Sequence, residues 1–233
     1  ALIGHTRLAT NGPADISNNC PILVGDIVGV HNGIVVNDAE IWQRFTALKR
    51  NSLVDSEAIF SLLDLSLKEN TLMEAAKSTY RQLEGSSSIA ALACGCKQAL
   101  LATNTGSLYF SKYRKRGIFV FASERPMMEN LNSDFRLSRI IGRCEISQLG
   151  AMQGCVIDTS TLAMHTFALP ENESLSKNRG MLQSKAQPQP FNKNNYPAGE
   201  GIKRIKRCTR CILPVTMPFI KFDREGVCNY CTG

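Results

Sequence analysis

Four cysteines near the end of the sequence have the types and spacing of a metal site. They form two pairs, CTRC and CNYC, and sixteen residues lie between the pairs. Two CxxC pairs at this interval suit a tetrahedral zinc ion, because each pair can form a tight turn that directs both sulfurs at one ion. A redox-active CxxC and a chance arrangement are the alternatives. The sequence therefore predicts a zinc site with four thiolate ligands: Cys208, Cys211, Cys228 and Cys231.

Basic residues lie close to the cysteine pairs. Arg204, Arg207 and Arg210 would offset the double negative charge of a zinc ion held by four thiolates, and would lower the thiol pKa values. A basic ribbon of this kind can instead bind nucleic acid. Its aromatic residues are few, however, and Phe219 and Phe222 lie in an apolar stretch that can form the ribbon's own core. We expect nucleic acid not to be a partner.

Polar residues of another kind are spread over the first 55 positions. Arg7 and Thr10 lie in GHTRLATNG, Asn32 and Gly33 in HNG, and Asp55 begins DSEAIF. Taken singly, they predict a surface cation, a hairpin turn and a helix cap. Together they could bind an amino acid with a reactive side-chain carbonyl. A guanidinium can hold an α-carboxylate, a carboxylate an α-ammonium, and an amide with a glycine N–H an oxyanion. Composition and spacing do not choose between these interpretations.

The elements that would position these residues follow from the spacing of apolar residues. Two apolar runs, Ile22 to Val30 and Ile34 to Val36, predict a pair of strands around a tight turn at Asn32–Gly33. Helices are predicted next. The first is capped by Asn37 and Asp38, the second runs from Ser56 to about Leu67, and the third begins at Thr71 with Glu74 completing a capping box.

Period-two and continuous β-rich runs follow Gly85. Strands, then a helical block, then many antiparallel strands are the order of an α+β domain rather than of βαβ units. The predicted strands are Ser88–Cys94, Ala99–Asn104, Ser107–Ser111, Gly117–Ala122, Cys144–Leu149, Gly154–Asp158 and Leu162–Ala168.

Composition predicts a large module over residues 1–180, a linker over 181–201 and a zinc ribbon over 202–233. The linker is rich in Gln, Asn and Pro and poor in aliphatic residues. The net charge of +7 belongs mainly to the end of the chain. Residues 1–180 hold 18 Lys and Arg against 17 Asp and Glu, whereas residues 181–233 hold 9 against 3. The large module is therefore nearly neutral, which gives little support to a phosphate-binding role.

Hydropathy and cysteine content bear on location. No apolar run approaches the 18 or more residues that a membrane-spanning helix needs. Nine cysteines and no recognisable secretory leader indicate a reducing compartment. We expect a cytoplasmic protein without a membrane partner, and leave assembly into a homo-oligomer open.

The motifs GHTRLATNG, IVGVHNGIVVN and DSEAIF, in this order, resemble the successive motifs of class II glutamine amidotransferase domains. Among these domains, the residues of the three motifs are most similar to those of the glucosamine-6-phosphate synthase type and of asparagine-synthase-like enzymes. The resemblance covers roughly residues 1–170. It implies the fold of the N-terminal-nucleophile hydrolases, a four-layer αββα sandwich, and it implies glutamine as a substrate.

The resemblance also implies roles for individual residues. Arg7 and Thr10 would bind the α-carboxylate region of glutamine, Asp55 would bind its α-ammonium group, and Asn32 and Gly33 would line the oxyanion hole. The glucosamine-synthase pattern usually has Trp and His where this chain has Leu8 and Asn11. Asn11 can still form a hydrogen bond to the substrate, but the change favours a less typical branch of the family.

The end of the sequence carries a second resemblance. CTRCILPVTMPFIKFDREGVCNYC is similar to the cysteine-rich opening of N-acetyl sugar amidotransferases, which use ATP and ammonia to convert an acetamido group into an amidine. It implies a fragment whose ATP-pyrophosphatase domain, with its ATP and Mg²⁺, follows Gly233. In the class II family the nucleophile is an N-terminal cysteine that uses its own α-amine as base. We therefore expect the printed chain, which begins with Ala1, to release no glutamate from glutamine.

These resemblances predict the glutaminase half of an amidotransferase, which supplies ammonia to an acceptor such as an ATP-activated N-acetyl sugar. Two alternatives stay open. One is an aminotransferase similar to glucosamine-6-phosphate synthase. The other is a catalytically inactive amidotransferase-like scaffold, whose ribbon binds a partner or nucleic acid.

Overall fold

The chain divides into two compact units, Ala1–Gln183 and Ser184–Gly233. The predicted linker over residues 181–201 lies outside the described residues, as do Arg7, Thr10 and Asn11 of the opening motif. Among the residues that the structure describes, no helix has the length and apolar character that a membrane span requires. The computed structural model describes residues 1–6, 18–171, 206–215, 217 and 220–232.

Two antiparallel sheets form the first unit. In the larger sheet the strand order is β1-β2-β3-β4-β8-β9, and in the smaller it is β6-β5-β7. The strands in the described part of this unit are β1 (Ile22–Val24), β2 (Ile27–Val35), β3 (Gly85–Ala93), β4 (Gln98–Thr103), β5 (Leu108–Tyr113), β6 (Ile118–Ala122), β7 (Ser147–Leu149), β8 (Gln153–Asp158) and β9 (Met164–Ala168).

Helices cover the outer faces of both sheets. Helix α2 packs on β1 and β2, α3 packs on β4 and β8, and α4 packs on β5 and β6. The layers are thus helix, sheet, sheet and helix, as the αββα prediction requires. The helices described in this unit are α1 (Asp38–Arg44), α2 (Ser56–Leu67), α3 (Leu72–Gln82), α4 (Arg125–Ser133) and α5 (Phe135–Ile141).

Apolar side chains fill two separate layers. The larger core lies between α1–α3 and the six-stranded sheet, and includes the fully buried Phe60, Leu63 and Leu100. The smaller core lies between the sheets, where Leu101 of β4 and Leu108 of β5 share one cluster. Burying each such side chain stabilises the folded state by about 1.5–3 kcal/mol. The two apolar layers therefore hold the helices and sheets in this stacking order.

The predicted hairpin turn at Asn32–Gly33 is wrong. Strand β2 continues through both residues as far as Val35, and each residue from Ile27 to Val35 pairs with β3. The tight turn lies earlier, where Gly25 has φ +53° between β1 and β2. An Asn-Gly pair favours a turn locally, but a nine-residue ladder satisfies more backbone groups than a hairpin at this position would.

Helix α2 has the predicted bounds, and α3 begins after Thr71 as predicted. Thr71 Oγ1 accepts the Glu74 N–H at 3.3 Å, while the Glu74 carboxylate pairs with Lys77 at 2.8 Å. In α1 the predicted cap differs, because the Asn37 side chain makes no cap hydrogen bond. It instead bonds the backbone of Gln82, the last residue of α3, and of Glu84 just after it, and so ties two elements together. Helices α4 and α5 were not predicted.

In the second unit, short bridges join Arg207 with Pro214 and Phe222 with Cys228. Helix α6 (Asn229–Thr232) follows directly after the second bridge. These local contacts bring the two cysteine pairs together.

Candidate active site and four-cysteine cluster

Asn32 lies on β2, opposite Ser88 of β3. Side chains alternate along a strand, so Asn32 points to the same face as Val30, which is part of the core between the sheets. Unlike Val30, Asn32 is exposed, and its side chain forms no hydrogen bond to any residue that the structure describes. Within the described part of the chain, its amide is therefore not engaged by the protein.

The position after Asn32 accepts only glycine. Gly33 has φ +147°, and a Cβ built on it would lie 2.1 Å from the Ser86 carbonyl oxygen. The same Cβ would lie 2.9 Å from Nε2 of His31. Because real Cβ atoms do not approach that closely, any side chain here would push β2 away from β3.

Asp55 joins the start of α2 to strand β2. Its side chain is 6% exposed and does not cap its own helix. One carboxylate oxygen, Oδ2, instead accepts the Val35 N–H at 2.7 Å. Val35 is two residues beyond Gly33, so Asp55 contacts the same strand that carries Asn32 and Gly33. The structure thus places two of the six predicted glutamine-site residues on β2 and a third, Asp55, against the same strand.

His31 is a residue of this region that the sequence prediction missed. It is 5% exposed, and its Nδ1 lies 2.9 Å from Ser56 Oγ. Burial lowers the pKa of His31, while the nearby Asp55 carboxylate acts in the opposite direction. Burial prevails, and the neutral imidazole is favoured in the folded protein. The sequence prediction ended the first strand at Val30. If it had continued the alternation of side chains that starts at Ile27, it would have placed His31 on the buried face of that strand.

Glu57 is a second residue that the prediction missed. It is 2% exposed, and its carboxylate accepts four hydrogen bonds from the loop before α2. The donors are N–H and Nδ2 of Asn51, at 2.7 and 3.0 Å, and N–H and Oγ of Ser52, at 2.5 and 2.6 Å. Glu57 therefore shapes the loop that leads into Asp55.

We expect Glu57→Gln to lower the free energy of unfolding by about 2–3 kcal/mol, because an amide group cannot accept from all four donors and leaves buried N–H groups unpaired. Urea unfolding measures the change. Glu69→Gln, which removes the same charge from an exposed residue after α2, is the control and should change stability by less than about 0.5 kcal/mol. Equal effects of the two substitutions would contradict this role for Glu57.

In the second unit the four predicted metal ligands come together. The sulfurs of Cys208, Cys211, Cys228 and Cys231 all lie within 4.8 Å of one another. Cys208 Sγ accepts backbone N–H groups of Arg210 and Cys211 at 3.4 Å and of Cys228 at 3.2 Å. Several N–H groups directed at one sulfur stabilise a thiolate, which is the form that binds a metal.

The thiol pKa values in the cluster differ in direction. Burial opposes ionisation of Cys208, but the N–H donors outweigh it and lower its pKa to about 6. The hydrogen bond that the Cys231 thiol donates to Cys211, together with burial, raises the pKa of Cys231 to about 12. A bound cation would deprotonate all four thiols, since coordination favours the thiolate. Nearby, Arg210 donates to the Cys231 carbonyl at 3.1 Å, and Arg204 lies outside the described residues.

The chain belongs to the glutamine amidotransferase domain family, whose model matches residues 5–130, and within it to class II. Among curated proteins it is 36% identical over 108 residues to the glutamine–fructose-6-phosphate aminotransferase (isomerizing) of Caulobacter vibrioides, covering 45% of this chain and 18% of the relative. It is 33% identical over 129 residues to the Helicobacter pylori enzyme of the same name, covering 54% and 21%. The chain thus spans about a fifth of these relatives' length.

Solved structures show the same fold. The glutamine phosphoribosylpyrophosphate amidotransferase of B. subtilis, complexed with ADP and GMP, aligns with a TM-score of 0.54 and 18% identity over 72% of this chain and 34% of its own. A structure of the allosteric regulatory enzyme of purine biosynthesis aligns with a TM-score of 0.50 and 17% identity over 67% and 32%. At these identities the likeness concerns the αββα sandwich alone.

Proposed function

We propose that the first unit is the glutaminase part of a glutamine-dependent amidotransferase, which releases ammonia for an acceptor bound elsewhere in the full-length protein. The observation that carries the proposal is the hydrogen bond from Val35 N–H to Asp55. In a member of this family, a carboxylate that contacts the strand carrying Asn32 and Gly33 supports a shared role for the three residues. A carboxylate next to an amide and a strand N–H suits an amino acid with a side-chain carboxamide.

In this proposal each residue has one task. Asp55 holds the α-ammonium group of glutamine, and Arg7 and Thr10, with Asn11 beside them, hold its α-carboxylate. A thiolate adds to the carboxamide carbon, and Asn32 Nδ2 and the Gly33 N–H stabilise the oxyanion that forms. The N-terminal α-ammonium group returns the thiol's proton to the departing nitrogen, so that the C–N bond breaks, ammonia leaves and a thioester remains. Water then hydrolyses the thioester to glutamate and regenerates the thiol.

We propose that the nucleophile is the N-terminal cysteine of the class II family and not Cys20. Cys20 is half-buried and packs against both cores of the first unit. As an internal residue, it has no α-amine to act as its base. Cys20 therefore serves as a control in the experiment below.

The binding roles predict a loss of glutamine use without a loss of ammonia use. In the full-length protein, Arg7→Ala or Asp55→Asn should each lower kcat/KM for glutamine by about 10- to 150-fold, since each weakens a charge-assisted contact that contributes about 1.5–3 kcal/mol. Asparagine preserves the acceptor for Val35. Steady-state assays with glutamine and with ammonium chloride measure both activities.

Cys20→Ala is the matched control and should leave both activities at wild-type values. Equal losses with glutamine and ammonia in the Arg7 and Asp55 variants would contradict the assigned roles. Loss of glutaminase activity in Cys20→Ala alone would identify Cys20 as the nucleophile.

For the acceptor we propose an N-acetyl sugar activated by ATP, on the strength of the cysteine-rich tail motif. The curated relatives favour a second candidate, because both are named as aminotransferases of fructose 6-phosphate. The two differ in their need for ATP. Product formation from glutamine and fructose 6-phosphate without ATP would support the second candidate, whereas pyrophosphate release that requires ATP, glutamine and an N-acetyl sugar would support the first.

For the four-cysteine cluster we propose one zinc ion. The supporting geometry is the close approach of the four sulfurs, and the three N–H donors on Cys208 add to it. Four thiolates can complete the tetrahedral coordination of one zinc ion. Such a site has a structural rather than a catalytic role, since no coordination position is left for a substrate.

A further inference from the structure

His31 is the buried residue that lies between the two halves of the proposed glutamine site. On one side its Nδ1 is 2.9 Å from Ser56 Oγ, at the start of α2. On the other side its ring lies under Gly33, because a Cβ at Gly33 would be only 2.9 Å from Nε2. The ring thus packs against the backbone of a proposed oxyanion donor.

The hydrogen bonds continue from Ser56 to Asp55. Ser56 Oγ donates to Asp55 Oδ1 at 3.5 Å, and the other oxygen of the same carboxylate accepts from Val35. A hydroxyl has one proton to donate. We assign the tautomer from this arrangement: with the Ser56 proton directed at Asp55, Nδ1 of His31 is the protonated nitrogen and donates to Ser56. His31 Nε2 then carries the lone pair.

The surroundings of the ring act on its protonation in both directions. Nε2 is buried and has no hydrogen-bond partner among the described residues. The Ser86 backbone carbonyl and the Asp55 carboxylate both favour a proton on the imidazole. Burial, the larger effect, and the neighbouring His5 both disfavour that proton. The imidazole is held neutral, with a fixed direction for Nδ1–H.

We propose that His31 is a positioning residue of the glutaminase reaction. Its ring supports Gly33 from inside the sheet, and its Nδ1–H, through Ser56, fixes the carboxylate of Asp55. One side chain then holds the oxyanion donors and the ammonium-binding group at a set distance. This inference rests on the proposed function, because it assumes that glutamine binds between these groups.

The test uses the full-length protein with three substitutions: His31→Phe, His31→Asn and Ser56→Ala. Phenylalanine keeps the ring but lacks the donor at Nδ1, so kcat for glutamine hydrolysis should fall by about 10- to 100-fold, as expected when reacting groups are displaced slightly. Ammonia-dependent activity should not change. Asparagine places an amide N–H near the position of Nδ1 and should recover part of the lost kcat. Ser56→Ala should lower kcat/KM for glutamine by about tenfold.

His165→Phe, the same change at an exposed histidine of β9, is the control and should keep wild-type kinetics. A His31→Phe protein with wild-type kcat, or one that loses ammonia-dependent activity equally, would overturn the inference. If that variant does not fold, Ser56→Ala decides, and its unchanged kcat/KM would overturn the inference too. A wild-type protein that releases no glutamate from glutamine would instead overturn the proposed function itself.

Discussion

Asn32→Ala should lower kcat for glutamine hydrolysis by about 10²–10³-fold in the full-length protein, which is the range found when one oxyanion-hole donor is removed. The expected size follows from the position of Asn32. Its exposed amide is not bonded to any described residue, so truncation removes a donor from the substrate and breaks no hydrogen bond within the described part of the chain. KM for glutamine should change little, because the donor acts on the charge that develops in the transition state. Stopped assays of glutamate release over a range of glutamine concentrations separate the two constants.

Asn70→Ala is the matched control. Its amide is exposed just beyond α2 and bonds the Ser66 carbonyl at 2.9 Å, away from the proposed site. Glutamine hydrolysis should be unchanged in that variant, and ammonia-dependent activity should be unchanged in both. A loss at Asn32 that appears in KM alone would contradict its assignment to the oxyanion hole.

Removal of the metal should unfold the four-cysteine unit and leave the first unit folded. Zinc bound by four thiolates contributes apparent binding free energies of about 10–16 kcal/mol at pH 7 in small zinc domains, which far exceeds what a short ribbon gains from burying apolar groups. The first unit has two apolar cores of its own. We therefore expect one zinc per chain by elemental analysis, and a strong chelator should expose the four thiols to a thiol reagent without changing the unfolding transition of the first unit.

Cys208→Ser should abolish stoichiometric zinc binding, because Cys208 is both a ligand and the acceptor of three backbone N–H groups. Cys96→Ser is the control, since Cys96 is an exposed free thiol in the turn between β3 and β4. It should retain one zinc. Unchanged zinc content in Cys208→Ser would refute the four-cysteine site.

The sequence alone was sufficient where the interactions are local. Helices α2 and α3 could be predicted because their apolar residues recur at helical spacing, and Thr71 marks the start of α3. The close approach of the four cysteines could also be predicted, since 24 residues hold both CxxC pairs and each pair forms its own turn. Ordered motifs indicated the family, which the match over residues 5–130 confirms.

Local signals failed where distant segments compete for the same residues. An Asn-Gly pair predicted a turn at Gly33, but pairing with β3, more than fifty residues further along, keeps this segment extended. Residue spacing carries no information about which strand will pair there. Helices α4 and α5 were missed for a different reason. They are short, and α5 has no buried residue to give a periodic pattern of apolar side chains.

The arrangement of the site was decided by tertiary structure. The sequence presents Asp55 as a helix cap, whereas the fold turns its carboxylate toward Val35 of a neighbouring strand. It presents His31 as one more polar residue before a turn, whereas the register of β2 buries it between Gly33 and Ser56. Residue types fix which chemistry is available. Only the packing of α2 on β2 sets the distances at which those groups can act together, because no spacing along the chain encodes that contact.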